Sequence, residues 1–146
     1  MALTGTYTRS LDDKRRLAFP KRLRDDFGEA DLNTLFLAPG TDRSLAIYSP
    51  PAFDRLARKL ARRPANQAGI RNYLRLFYAQ AEKCDLDSQG RICIPDRLAE
   101  HAGLQREVVL LGVHDHAEIW DTQAWAEYLA RNTPDFDAIA AQAFEE

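Results

Sequence analysis

The stretch LDDKRRLAFPKRL at residues 11–23 returns as LDSQGRICIPDRL at residues 86–98, and this repetition decides how the chain is read. At a spacing of 75 positions, Leu11, Asp12, Arg16, Pro20, Arg22, Leu23 and Gly28 meet Leu86, Asp87, Arg91, Pro95, Arg97, Leu98 and Gly103. Further on the spacing falls to 72, aligning Gly40, Ile47, Tyr48 and Phe53 with Gly112, Ile119, Trp120 and Trp125. The whole difference is expected in the loop before Thr34. Two copies are too few for a stacked repeat array, in which neighbouring units bury each other's faces. They describe one module used twice, with a pseudo-two-fold relation between the halves.

Each copy predicts the same elements. A strand (Thr6–Leu11, Glu82–Leu86) runs into a tight turn and then a strand of alternating apolar residues (Arg16–Phe19, Arg91–Ile94). Pro20 and Pro95 open a short helix that places Leu23 and Phe27, or Leu98 and Ala102, on one face. Gly28 and Gly103 fall where a left-handed helix stop belongs. A strand pair follows (Thr34–Leu37 with Ser44–Tyr48, Val108–Leu111 with Ala117–Trp120), then a helix. Pro50 and Pro51 preset the first of these helices, and Asp121 or Thr122 is the cap of the second. Copy one adds a helix over about 67–78. Beyond Pro134 the tail is acidic and weakly patterned. The expected class is α+β, divided into a first unit at 3–55, a basic helical connection at 56–80, a second unit at 81–131 and an acidic tail at 132–146.

The chain has 146 residues, 45% hydrophobic and 29% charged, the balance of an ordinary globular domain. It has no apolar run long enough for a membrane helix and no amino-terminal signal pattern, so the expected location is the cytoplasm. The net charge of −2 conceals an asymmetry. Residues 1–75 carry 15 Lys/Arg and 8 Asp/Glu, a net +7, whereas residues 76–146 carry a net −9. Seven cations lie between Arg9 and Arg24 (Arg9, Lys14, Arg15, Arg16, Lys21, Arg22, Arg24) against Asp12 and Asp13. Such clustering is the footprint of phosphate binding, and copy one is expected to be the stronger nucleic-acid-facing half.

The Asp-x-x-x-Arg element carries the most chemistry. Asp12 and Arg16, and likewise Asp87 and Arg91, are set to face each other across a hairpin mouth, where a bidentate pair would orient the guanidinium. Gly90 suits a turn position with positive φ; Arg15 stands there in copy one. Two readings stay open: a structural ion pair that pins each turn, or contact with nucleic acid.

The motifs Leu-Asp-Asp-Lys-x-Arg-Leu-x-x-Pro, Cys-Asp-Leu-Asp-x-x-Gly-Arg-Ile-x-Ile-Pro and Gly-Val…Glu-Ile-Trp resemble those of the MraZ family, bacterial transcriptional regulators built from two SpoVT-AbrB domains. The resemblance covers roughly residues 3–131. It implies a swapped-hairpin β-barrel with peripheral helices, one chain standing in for an AbrB-type dimer. It also implies a ring-shaped homo-oligomer at the nucleoid. The ring would bind short G-rich direct repeats in double-stranded promoter DNA, including its own promoter within the cell-division and cell-wall gene cluster. By that resemblance the DNA-contacting arginine is Arg16, with Lys14 as the neighbouring basic position and Arg91 as the second-copy arginine. Arg15, Lys21 and Arg22 complete the candidate DNA-binding set, and Asp12 and Asp87 orient the turns.

Other patterns are weaker. His114-Asp115-His116 falls at a hairpin tip with no third ligand near it in sequence, so a solvated turn outweighs a metal site. Cys84 and Cys93 read as small buried residues and not as nucleophiles. The exposed-looking cations Arg55, Arg58, Lys59, Arg62 and Arg63 are either a solvated helix face or a contact with DNA or with an acidic neighbouring subunit. The basic first half of one chain facing the acidic second half of the next would give a head-to-tail cyclic assembly. No enzyme, cofactor or small-molecule substrate is expected. The alternative function is a ring-forming, antidote-like module whose target is another protein.

Overall fold

The computed structural model describes residues 2–29 and 32–145. It is an α+β protein in three layers. Among the described residues eight strands occur, β1 (Thr6–Ser10), β2 (Arg16–Ala18), β3 (Thr34–Pro39), β4 (Leu45–Tyr48), β5 (Glu82–Asp85), β6 (Arg91–Cys93), β7 (Glu107–Val113) and β8 (His116–Asp121). The helices are α1 (Lys21–Asp26), α2 (Pro50–Ala61), α3 (Ala68–Gln80), α4 (Asp96–His101), α5 (Thr122–Asn132) and α6 (Phe136–Ala143), the last preceded by a 3-10 turn at Thr133–Asp135.

Six strands form one antiparallel sheet in the order β1-β7-β8-β4-β3-β5, and β2 and β6 form a separate two-stranded ribbon. The sheet order reads the same when the two copies are exchanged. Each copy lends its first strand to the other: β1 lies on β7 with Tyr7 opposite Leu110, and β5 lies on β3 with Glu82 opposite Leu37. The centre is β4 on β8, with Ala46 opposite Glu118. The expected β-barrel is not closed by hydrogen bonds. The hydrogen-bonded ladder is open, with β1 and β5 as its edges. The turn-linked strands are not laddered hairpins either. The ladder of β1 is taken by β7 and that of β2 by β6, so each Asp-x-x-x-Arg turn carries the chain out of the sheet and into the ribbon.

The register also revises where the copies differ in length. Leu37 and Leu110 are equivalent by pairing, as are Ile47 and Ile119. Part of the difference therefore falls before β3, and one residue of it falls in the β3–β4 turn. There Gly40 donates to the Ser44 carbonyl across Thr41-Asp42-Arg43, whereas in copy two only His114 and Asp115 separate Val113 from His116. Gly112 consequently matches Pro39 and not Gly40.

Strand alternation splits the sheet residues between two faces. Leu35, Leu37, Leu45, Ile47, Val108, Leu110, Ala117 and Ile119 pack under the ribbon and short helices, against Leu17, Phe19, Leu23, Ile92, Ile94 and Leu98. On the other face Phe36 stacks on Phe53 of α2, with ring centroids 4.3 Å apart, and Phe53 meets Phe77 of α3. Beneath α5, Trp125 and Tyr128 cover Val109, Leu111 and Trp120. Ser49 caps α2 by accepting the Ala52 N–H, and Asp121 caps α5 by accepting the N–H groups of Gln123 and Ala124. Gly28 (φ 81°) and Gly103 (φ 60°) end α1 and α4 in the left-handed region. Among the described residues no helix is long and apolar enough to cross a membrane.

Candidate nucleic-acid interface

The ribbon presents one buried and one exposed face. Arg16 lies opposite Cys93, Leu17 opposite Ile92, and Ala18 opposite Arg91. Opposed residues share a face and neighbours alternate. Leu17 and Ile92 are therefore buried, while Arg16, Ala18, Arg91 and Cys93 share the outer face. The two arginines are diagonal neighbours, with backbones roughly 7–8 Å apart, separated by the small side chains of Ala18 and Cys93. A narrow platform of small side chains results, with a cation at two diagonal corners. The expectation that both cysteines are buried fails at Cys93, because its register opposite Arg16 turns it to solvent; its thiol donates to the Lys14 carbonyl at 3.2 Å. Cys84 points toward the core, and burial pushes its thiol up to about 11.

Each arginine is held by its aspartate in the same way. The Asp12 carboxylate accepts the backbone N–H groups of Lys14 (2.9 Å) and Arg16 (2.8 Å) on Oδ1 and the Arg16 Nε–H (2.7 Å) on Oδ2. Asp87 accepts from Gln89 and Arg91 backbone N–H groups and from the Arg91 Nε–H at 2.8–2.9 Å. The backbone N–H of Arg16, more than any other single contact, lowers the Asp12 pKa to about 2, and the Arg91 N–H likewise lowers that of Asp87. A bidentate guanidinium–carboxylate pair does not form. One carboxylate oxygen is spent on the turn's amides, which leaves both Nη groups of Arg16 and of Arg91 without a protein acceptor among the described residues.

The swap redistributes the basic segment of copy one. Lys14 and Arg15 sit in the first turn, at the end of the ribbon near α4. Arg15 adopts φ 56°, equivalent to Gly90 at 74°, and its guanidinium is tied to Asp96 at the start of α4. Lys21 and Arg24 of α1 instead line a hollow with Ser88, Gln89 and Gly90 of the second turn. Lys21 pairs with Asp25 at 3.1 Å, Arg22 is exposed, and Arg24 donates to the Leu32 carbonyl. The cations are thus divided between the two ends of the ribbon, and copy one is not a separate basic half in space. Arg9 adds a donor beneath, its Nε–H reaching the Ala18 carbonyl at 3.2 Å. Ala18, Cys93 and the Arg15–Asp96 tie were missed in the sequence. Alternation along 16–19 and 91–94 signals the first two, whereas Asp96 becomes a neighbour only through the swap.

The remaining candidates separate from this face. His114 occupies the β7–β8 turn at φ 64°. His116 stacks on Tyr48 and bonds Asp115 at 2.7 Å, with Glu118 3.6 Å away. Burial works against its charge, but hydrogen bonds to Glu118 and Asp115 outweigh it and raise its pKa. Among the described residues no three His, Cys, Asp or Glu side chains gather as a metal site. His101, at the end of α4, bonds the Gly40 carbonyl through Nε2. Arg55, Arg58, Lys59, Arg62 and Arg63 are all exposed along and just beyond α2.

The family model described as "MraZ protein, putative antitoxin-like" matches the chain twice, at residues 2–76 and 77–146. A protein of Salinispora arenicola named Transcriptional regulator MraZ is 39% identical over 92% of each chain. A protein of the same name from Corynebacterium urealyticum is 42% identical over 96% of this chain and 95% of its own, and that of Heliobacterium modesticaldum is 37% identical over 93% and 92%. The solution structure of PHS018 from Pyrococcus horikoshii aligns with 79% of this chain and 96% of its own at 13% identity, with a TM-score of 0.34. Two family matches that together span nearly the whole sequence, with relatives near 40% identity, establish that the chain belongs to the MraZ family.

Proposed function

We propose that the protein is a sequence-specific DNA-binding transcriptional regulator and that the outer face of the β2/β6 ribbon is its reading surface. The observation that carries this reading is the pair of aspartate-held arginines on one exposed face, each with its Nη groups free. A two-stranded ribbon fits the major groove, and an arginine fork matches guanine O6 and N7. Small residues between the forks allow close approach to base edges. Lys14, Lys21 and Arg22 flank the ribbon and would neutralise phosphates; Arg15, held by Asp96, would act on the turn's shape more than on DNA. Asp12 and Asp87 orient the arginines and do not themselves touch the phosphates, which would repel them.

One ribbon offers two reading arginines, too few for a long operator. A homo-oligomeric ring that aligns several ribbons on G-rich direct repeats would gain by effective concentration. The exchange-symmetric strand order supports a pseudo-two-fold module, with each chain contributing a complete reading face. The name carried by the relatives supports transcription as the process, and the proposed targets are promoter repeats of the cell-division and cell-wall cluster, including the chain's own.

The test is a binding titration on a G-rich direct-repeat duplex and on its scrambled counterpart across a salt series, with wild type and the Arg16→Ala, Arg91→Ala double variant. Wild type should prefer the repeat and weaken linearly in log salt; the double variant should bind both duplexes alike. Equal binding by wild type to both duplexes overturns the assignment. Salt-insensitive, negligible retention of any DNA would favour the protein-targeting alternative.

A further inference from the structure

Two surfaces of the chain stand uncovered and complement each other. The first is α6. Phe136, Ile139, Ala140, Ala143 and Phe144 fall at the spacing of a single helix stripe. No residue from Thr133 to Glu145 is buried, and Phe136, Ile139 and Phe144 are 68%, 44% and 87% exposed. A helix of this length is far below the roughly 12–15 residues at which isolated helices become even marginal in water. An amphipathic helix this short is stable only against a partner.

The second surface is the groove between α2 and α3. Leu56 and Leu60 form one wall, Ile70, Tyr73 and Leu74 the other, and Gly69 opens one end; it encloses about 460 Å³. Lys59 and Arg63 stand on its rim. A helix the length of α6 spans about 12 Å at 1.5 Å per residue, a length that α2 and α3 both exceed. Its charge is the counterpart of the rim: Asp135 and Asp137 precede and begin α6, and Glu145 follows it. Among the described residues none of these acids pairs with a cation.

We infer that α6 of one copy docks in the α2/α3 groove of a second copy, apolar stripe inward and acids on the basic rim. Helix and groove belong to the same chain, and no residue of α6 lines the groove among the described residues. Head-to-tail pairing covers both at once, and heterologous contacts of this kind close into rings when the rotation permits. The inference rests on the oligomeric reading above and assigns that assembly an element and a receptor.

Photo-cross-linking tests it in the full-length protein. Position 136 carries the photoreactive analogue benzoylphenylalanine in an unlabelled chain, which is mixed with isotope-labelled wild type and irradiated. Cross-links from position 136 to labelled peptides within residues 55–75 are expected. Phe136→Glu should weaken self-association about tenfold or more, since a buried phenylalanine is replaced by a charge. Arg63→Glu should weaken it less, with Asp137→Arg in the same chain restoring it. Cross-links confined to one chain, landing elsewhere on the neighbour, or absent would overturn the docking. Light scattering on wild type separates this from the ring itself. An assembly larger than a dimer with cross-links elsewhere refutes only the docking. A dimer cross-linked through the groove refutes only the ring.

Discussion

Replacing Arg16 by lysine separates charge from shape at the proposed reading face. Two of the three hydrogen bonds to Asp12 come from the backbone N–H groups of residues 14 and 16 and survive any side-chain change. The turn therefore persists, and a change in DNA binding reports on the side chain. Lysine keeps the positive charge, so the counterion-release contribution and the slope of log K against log salt should match wild type. It loses the fork. A bidentate arginine–guanine contact is worth about 1–3 kcal/mol of discrimination, so the preference for the G-rich repeat over the scrambled duplex should fall about 5- to 150-fold per ribbon. Arg16→Ala should lose the same discrimination. Its salt slope should drop by about 0.9 only if the guanidinium also neutralises a phosphate. Fluorescence anisotropy titrations across a salt series measure both quantities, with circular dichroism to verify folding. A folded Arg16→Lys protein with wild-type discrimination at every salt concentration would refute base reading by this residue.

Four further outcomes follow from the geometry. The Asp12 carboxylate has its pKa lowered from 3.8 to about 2 in the folded chain, so its contribution to stability is complete above the unfolded value and lost as pH falls through that window; Asp12→Asn should flatten the wild-type loss of stability between those values in acid denaturation. Gly90→Ala should lower stability by about 1–2 kcal/mol from backbone strain alone, because φ is 74° and the added Cβ would stand 3.7 Å from Arg24 Nη1, an ordinary contact; an unchanged thermal midpoint would contradict this. Iodoacetamide should label Cys93 faster than Cys84, and direct-repeat DNA should slow labelling of Cys93 selectively, since only that thiol lies between the two reading arginines. His116 has a raised pKa, so the stability it contributes is complete below the ordinary histidine range and lost as pH rises through the folded value; His116→Gln should remove that slope in thermal melts across neutral pH.

The elements were legible because their determinants are local. Proline before α1 and α4, glycine after them and period-two alternation in the strands each act within a few residues. What sequence could not supply was the partner of each strand. β1 and β2 are joined by a short turn, and neighbouring strands usually pair, yet each finds its partner in the other copy. A resemblance could suggest the exchange, but no periodicity encodes it. The candidate site divides along the same line. Asp12 with Arg16, and Asp87 with Arg91, lie four residues apart and were visible as pairs; the setting of Arg15 against Asp96 and of Gly90 beside Arg24 spans the chain. Helix α6 was obscure because its stripe is short, three large apolar residues and two alanines, and the described residues of the same chain leave it exposed.

The strand exchange also explains how two diverged copies can build one exposed face. The first turn is rich in cations and the second is nearly neutral, so a module in which each hairpin folded on itself would have one strong and one weak half. With the ribbon built from both copies, the second turn borrows Lys21 and Arg24 from α1, while the first turn loses much of Arg15 to Asp96 of α4. The two ends become more alike in charge than the sequences that form them. Arg15 then has a reason to stand where copy two has glycine. The left-handed backbone costs about 1–2 kcal/mol. The exposed tie to Asp96 returns at most about 1 kcal/mol, so stability alone does not account for it. The guanidinium also holds the first turn against α4 of the other copy, an attachment that glycine cannot supply. A contact between the two copies, held at some expense in local backbone stability, is the balance this turn displays.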